Sequence, residues 1–170
     1  DYVLELEDEN GKAPLLNVFG GKITTFRRLS EHALQRLKPF FPEARGDWTK
    51  GAPMPGGDIA NADFESFAAE QTRRYSWLAP AHVRRLCRAY GTRIGRVVGD
   101  ARAVGELGRH FGGDLYEAEV RYLKDQEWAC AADDVLWRRS KLGLHVPKGT
   151  AEALRGWFAD QGAVHNTAAS

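Results

Sequence analysis

The sequence predicts a mainly α protein: an N-terminal β-hairpin and helix followed by an all-helical domain. Three observations lead there. Two strand-like runs, residues 2–7 and 14–19, flank Asn10-Gly11, a dipeptide that tolerates the positive φ angles of a tight hairpin turn. From Thr24 the apolar period changes from strand-like to helical. Beyond residue 62 helical signals dominate to the end of the chain.

The elements follow in order. "YVLELE" alternates loosely and reads as a strand, and "PLLNVF" returns antiparallel to it. Pro14 has no N–H to give to a ladder, so it belongs at the strand's start or on an edge. The returning strand is apolar on both faces, which a lone two-stranded hairpin cannot bury. Together with a chain that begins "DYVLELE" without a methionine, this suggests a piece of a longer protein whose other strands lie elsewhere. In the next segment Phe26, Leu29, Ala33, Leu34 and Leu37 share one helical face, and Pro39 and Pro42 end the helix. Residues 39–61 hold Pro39, Pro42, Pro53, Pro55 and "GGD" and read as a linker or wrapping loop. The expected division is therefore 1–38, the linker 39–61, a helical domain 62–160 and a tail 161–170.

Within the helical part, Asp63 is expected to cap one helix, and Pro80 and Gly91 to open and close the next. One or two short helices are expected between 97 and 107, broken at Gly99, Gly105 and Gly108. "LYEAEVRYLKDQEW" and "DDVLWRRSKLGL" read as helices, the latter capped by Asp133 and carrying an Asp134–Arg138 ion pair. Thr150 should cap the last helix and Gly162 should stop it.

Composition narrows the function. The net charge of +1 gives no general pull toward nucleic acid or membrane, and no apolar run approaches the roughly 20 residues of a membrane span. Cys87 and Cys130 lie in no paired motif and read as two free thiols. The five histidines never fall at i,i+4, so zinc-site spacing is missing. Arg73, Arg74, Arg84, Arg85, Arg88, Arg93 and Arg96 form a basic cluster without a nucleic-acid motif, and solvated ion pairing explains it better. The acids Glu117, Glu119, Asp125, Glu127, Asp133 and Asp134 alternate with cations, which favours ion pairing over acid–base chemistry.

The segment that could carry chemistry is "NVFGGKITTFRR", 17–28. It is not a phosphate-binding P-loop, because Leu16 stands where the first glycine is required and Ile23 follows the lysine. It also lacks the third glycine of a dinucleotide fingerprint. What the residues support is more general. Gly20 and Gly21 expose backbone at a strand-to-helix junction, a helix N-terminus follows, Lys22 adds a charge, and Thr24 or Thr25 can cap the helix. A tight structural turn with a solvent lysine satisfies the same spacing.

"LLNVFGGKITTFRRLSEHALQRL" resembles the segment that closes the FAD domain of respiratory, FAD-dependent glycerol-3-phosphate dehydrogenases. "APMPGGD" at 52–58 resembles the loop that follows there, and "RLCRAYGTR" and "FGGDLYEAEVRYLKDQEWACAADDVLWRRSKLGL" resemble the family's helical C-terminal domain. The resemblance spans residues 2–157, with Phe26 where tyrosine is common and Ser140 where threonine is common.

The resemblance implies a parent enzyme that oxidises sn-glycerol 3-phosphate to dihydroxyacetone phosphate, with FAD as hydride acceptor and a quinone beyond it. It implies a cytoplasmic location, peripheral to the cytoplasmic membrane. The hairpin and first helix become the end of the FAD-dependent catalytic region, and the rest of the FAD domain becomes their partner. Gly20, Gly21, Lys22 and Thr24 become cofactor-binding residues, with Lys22 also the catalytic candidate beside flavin, substrate or both. No flavin is expected on this chain alone, and the chain alone is expected to be inactive. The other class of function is a helical module for homodimerisation or docking, without a catalytic role.

Overall fold

The computed structural model describes residues 2–8 and 13–167. The chain forms two compact units, Asp1–Met54 and Pro55–Ser170, which divide inside the predicted linker.

In the first unit β1 (Tyr2–Glu7) pairs antiparallel with β2 (Leu15–Gly20), in a register that sets Val3 opposite Phe19 and Glu7 opposite Leu15. The connecting Asn10-Gly11 lies outside the described residues. Alternation of side chains turns Tyr2, Leu4 and Leu6 to one face, where they are half-buried, and leaves Val3 and Phe19 exposed on the other. A 3-10 turn at Ile23–Thr25 leads into α1 (Phe26–Leu37), and a second 3-10 turn containing Pro39 ends it as expected. The hydroxyl of Tyr2 and Nδ1 of His32 lie 2.5 Å apart, tying β1 to α1. His32 is exposed. Among the described residues of 2–54 none is fully buried.

The second unit holds the hydrophobic core, from Ala68 to Trp157. Its helices are α2 (Phe64–Arg74), α3 (Pro80–Tyr90), α4 (Ile94–Val98), α5 (Glu117–Glu127) and α6 (Thr150–Thr167). Asp63 caps α2 as predicted, accepting from the Ser66 amide at 3.0 Å and its hydroxyl at 2.6 Å. Pro80 opens α3 and Gly91 closes it.

Several expectations change. The unit carries a small hairpin, β3 (His110–Gly112) with β4 (Leu115–Tyr116), so α5 begins two residues later than the apolar pattern suggests. Alternating Phe111 and buried Leu115 pack inward there, and a short strand of two residues has too little periodicity to be seen in sequence. Gly105 lies within a 3-10 turn at Val104–Leu107 and does not break it. The "DVLWRR" segment is a widened π-type turn, Asp134–Arg139; Asp133 stands at its cap position as predicted, but its side chain makes no capping hydrogen bond. Asp134 Oδ2 accepts from the amides of Cys130 (2.9 Å) and Ala131 (3.1 Å), while its Oδ1 accepts from Arg138 at 2.9 Å. Thr150 spends its hydroxyl on the Phe111 carbonyl at 2.8 Å, and Gly149 takes the cap position of α6. That helix passes through Gly162 into the predicted tail. One internal glycine costs about 1 kcal/mol relative to alanine, too little to stop a helix without a proline behind it.

Candidate functional site

The glycines end β2 as the sequence requires. Gly20 has φ +80° and Gly21 φ +103°, conformations that side chains rarely adopt. A Cβ on Gly21 would press on Leu29 of α1 at 3.0 Å, so the second glycine also lets the helix pack close to the strand end. The chain then turns sharply, and residues 20–24 are exposed.

The 3-10 turn moves the helix start. Thr25 N–H bonds to Lys22 O at 2.9 Å, and the Thr25 hydroxyl donates to the same carbonyl at 3.0 Å. The Lys22 amide reaches the Thr25 hydroxyl at 3.3 Å. The threonine that closes this turn is therefore Thr25, and Thr24 stands exposed at its middle. The amides of Ile23 and Thr24 precede the first helical hydrogen bond, the position from which donors point at a ligand. Gly20, Gly21, Lys22 and Thr24 thus sit on one exposed turn. It carries bare backbone, two amides ahead of the helical ladder and a lysine side chain. Its surroundings are apolar: Phe19 is 54% exposed, Ile23 86% and Phe26 49%.

Behind the turn, Arg27, Glu31 and Gln35 follow at helical spacing along α1. Arg27 donates to both Glu31 oxygens at 3.0 Å and to the Thr49 hydroxyl at 3.1 Å, and that hydroxyl donates in turn to Glu31. Gln35 donates to Asp47 at 2.7 Å. The Thr49 hydroxyl, and after it Arg27, hold the Glu31 carboxyl below the ordinary carboxylate range. Nothing in the sequence signals this partnership across the loop.

In the helical unit, ion pairing accounts for much of the arginine and acid clusters. Arg84 pairs with Glu65 at 2.6 Å, and Arg121 with Glu117 at 2.6 Å. Arg85 was expected to be a solvated surface charge, yet it joins three elements. Its guanidinium donates to both oxygens of Glu119 (2.8 and 2.7 Å) and to Asp114 (2.7 Å) between β3 and β4. Tyr90 donates to Glu119 at 2.6 Å, and Glu119 is 2% exposed. Burial and the adjacent carboxylate push the Tyr90 hydroxyl well up, so it stays a donor. Two quoted motifs also meet here. The Thr92 amide bonds to Gly56 O at 3.0 Å, and the Thr92 hydroxyl bonds to Asp58. A Cβ on Gly91 would overlap Gly56 O outright. The glycines of "PGGD" and "YGTR" are thus a close backbone crossing. Cys87 is buried and Cys130 exposed, both free. No group of metal-ligating side chains occurs among the described residues.

Residues 48–159 match the family model described as the C-terminal domain of alpha-glycerophosphate oxidase. The chain belongs to this family.

Similar proteins include the D-erythritol 1-phosphate dehydrogenase of Brucella abortus, 54% identical over 93% of this chain and 31% of the relative. The aerobic glycerol-3-phosphate dehydrogenase of Escherichia coli K12 is 44% identical over 94% of this chain and 32% of the relative. The glycerol-3-phosphate dehydrogenase of Pseudomonas aeruginosa is 48% identical over 86% and 28%. This chain of the alpha-glycerophosphate oxidase C-terminal family therefore spans about a third of the length of the relatives it matches. These matches extend beyond the family model to the first unit, which holds the glycine turn.

Proposed function

We propose that this chain is the C-terminal part of an FAD-dependent glycerol-3-phosphate dehydrogenase, with Gly20, Gly21, Lys22 and Thr24 forming one wall of its flavin site. The observation that carries the proposal is the exposed turn after β2, in a chain whose relatives are named as dehydrogenases of polyol phosphates. The residues fit the group. Two glycines at positive φ leave no side chain in front of the backbone, and apolar Phe19, Ile23 and Phe26 surround the polar turn as a planar ring system needs.

FAD, when bound, supplies the hydride acceptor for oxidation of sn-glycerol 3-phosphate to dihydroxyacetone phosphate, with a quinone downstream. The chain's part is electrostatic. With the group bound, the amides of Ile23 and Thr24 and the Lys22 side chain would stabilise negative charge that develops on reduction. The parent is placed at the periphery of the cytoplasmic membrane. Among the described residues no helix is long and apolar enough to cross one. The core-bearing helical unit supports the fold, and homodimerisation or docking is its second role.

The identity of 54% to a D-erythritol 1-phosphate dehydrogenase favours a second reading of the substrate, a four-carbon polyol phosphate. Comparing kcat/KM of the full-length parent for sn-glycerol 3-phosphate and D-erythritol 1-phosphate, with an artificial electron acceptor, decides between the two. Turnover of neither substrate overturns the dehydrogenase assignment. The present chain by itself should be colourless and inactive. Stoichiometric flavin on it would contradict the one-wall assignment.

A further inference from the structure

The loop that follows α1 runs back along it. Asp47 meets Gln35, and Thr49, two residues on, meets Glu31 and Arg27 one helical turn nearer the N-terminus. The contacts therefore progress toward the glycine turn. Arg27 is the second residue of α1 and lies two residues after Thr25, whose hydroxyl and amide close the turn on Lys22 O. The Glu31 side chain is 13% exposed and that of Arg27 35%, so the ring of three side chains is partly shielded from water.

We propose that Thr49 is a positioning residue for the Gly20–Thr25 turn, acting through the Arg27–Glu31–Thr49 ring. The ring does two things. It fixes the first turn of α1, and with it the direction of the Ile23 and Thr24 amides. It also sets the Arg27 charge against a carboxylate, which limits the positive field that Arg27 adds at the turn. A side chain 24 residues beyond Thr25 thereby shapes a site it does not touch. The inference about the flavin rests on the proposed function; the mechanical tie does not.

The test uses Thr49→Val, Thr49→Ser and Glu31→Gln. In this 170-residue chain, amide hydrogen exchange at Thr25 and Phe26 should accelerate about fivefold or more in Thr49→Val, as loss of a hydrogen bond implies. Thr49→Ser should restore the wild-type rate. In the flavin-loaded full-length parent, Glu31→Gln should raise the flavin midpoint potential, because the Arg27 charge is then uncompensated. Unchanged exchange in Thr49→Val overturns the proposal, and so does equal acceleration throughout the first unit, which would mark a general structural role. An unchanged potential in Glu31→Gln overturns the electrostatic half. A parent that carries no flavin, with local exchange still accelerated, refutes the flavin reading and supports the tie.

Discussion

Lys22 places a full positive charge on a turn that otherwise offers only backbone dipoles. In the full-length parent Lys22→Ala should lower the flavin's midpoint potential and slow its reduction, measured by stopped-flow absorbance. Lys22→Arg separates charge from shape, since a guanidinium is planar and larger; partial recovery marks charge as the main contribution. At Gly91, φ is +53° and a side chain would meet the Gly56 carbonyl. Gly91→Ala should destabilise the helical unit by about 1–3 kcal/mol from backbone strain alone, with the steric overlap added to it, seen as a lower Tm. At this scale the sequence was informative where a residue type has one physical use. Paired glycines before a lysine marked a bare turn, and Asp63 and Pro80 marked helix starts. It was silent about Thr49 and Arg85, because their partners are fixed only when distant segments meet.

At the scale of elements, α3, α5 and the β3–β4 hairpin are joined by the Arg85, Glu119, Tyr90 and Asp114 cluster. Removing one member of a buried ion pair leaves the other uncompensated, so Glu119→Ala should cost about 3 kcal/mol in urea unfolding. Acid sensitivity has a separate source. The Arg109 amide, Arg121 and Trp157 outweigh the burial cost at Glu117 and hold its carboxyl below the ordinary value of 4.5. A depressed carboxylate contributes stability that is fully present above its unfolded value and fades as pH falls through the folded one. Thermal stability should therefore decline below about pH 4.5, after an earlier loss that begins near 6.5, where the unfolded chain protonates His82, which burial keeps neutral in the fold, and Glu117→Gln should flatten only the lower part. Long helices with clear apolar faces were legible from periodicity. The two-residue strand β4, the π-type turn at Asp134–Arg139 and the last helix beyond Gly162 were not, since each departs from the local preference of its residues by only a small energy.

At the scale of the whole molecule the two units differ in kind. Among the described residues every member of the buried core lies between Ala68 and Trp157, and those of 2–54 include none that is fully buried. Calorimetry should show one cooperative transition belonging to the second unit, and a chain trimmed to residues 55–170 should keep its Tm within a few degrees. Loss of that transition on trimming would show that the first unit is part of the same cooperative fold. The apolar second strand had already indicated in sequence that the hairpin alone could not bury its surface. In the relatives that match this chain over 93–94% of its length, the corresponding segment belongs to a polypeptide about three times as long.

The distribution of tryptophans gives the molecule a built-in optical readout. Trp48, the sole tryptophan of the first 54 residues, adjoins Thr49 and is 62% exposed, and Trp128 is 82% exposed, whereas Trp157 lies 5% exposed in the core. Iodide should quench the red-shifted emission of the first two and spare the blue-shifted emission of the third. With Trp128 and the 42% exposed Trp137 both replaced by phenylalanine, the quenchable fraction reports chiefly on Trp48, so a fluorimeter can follow the loop beside α1 without any added label.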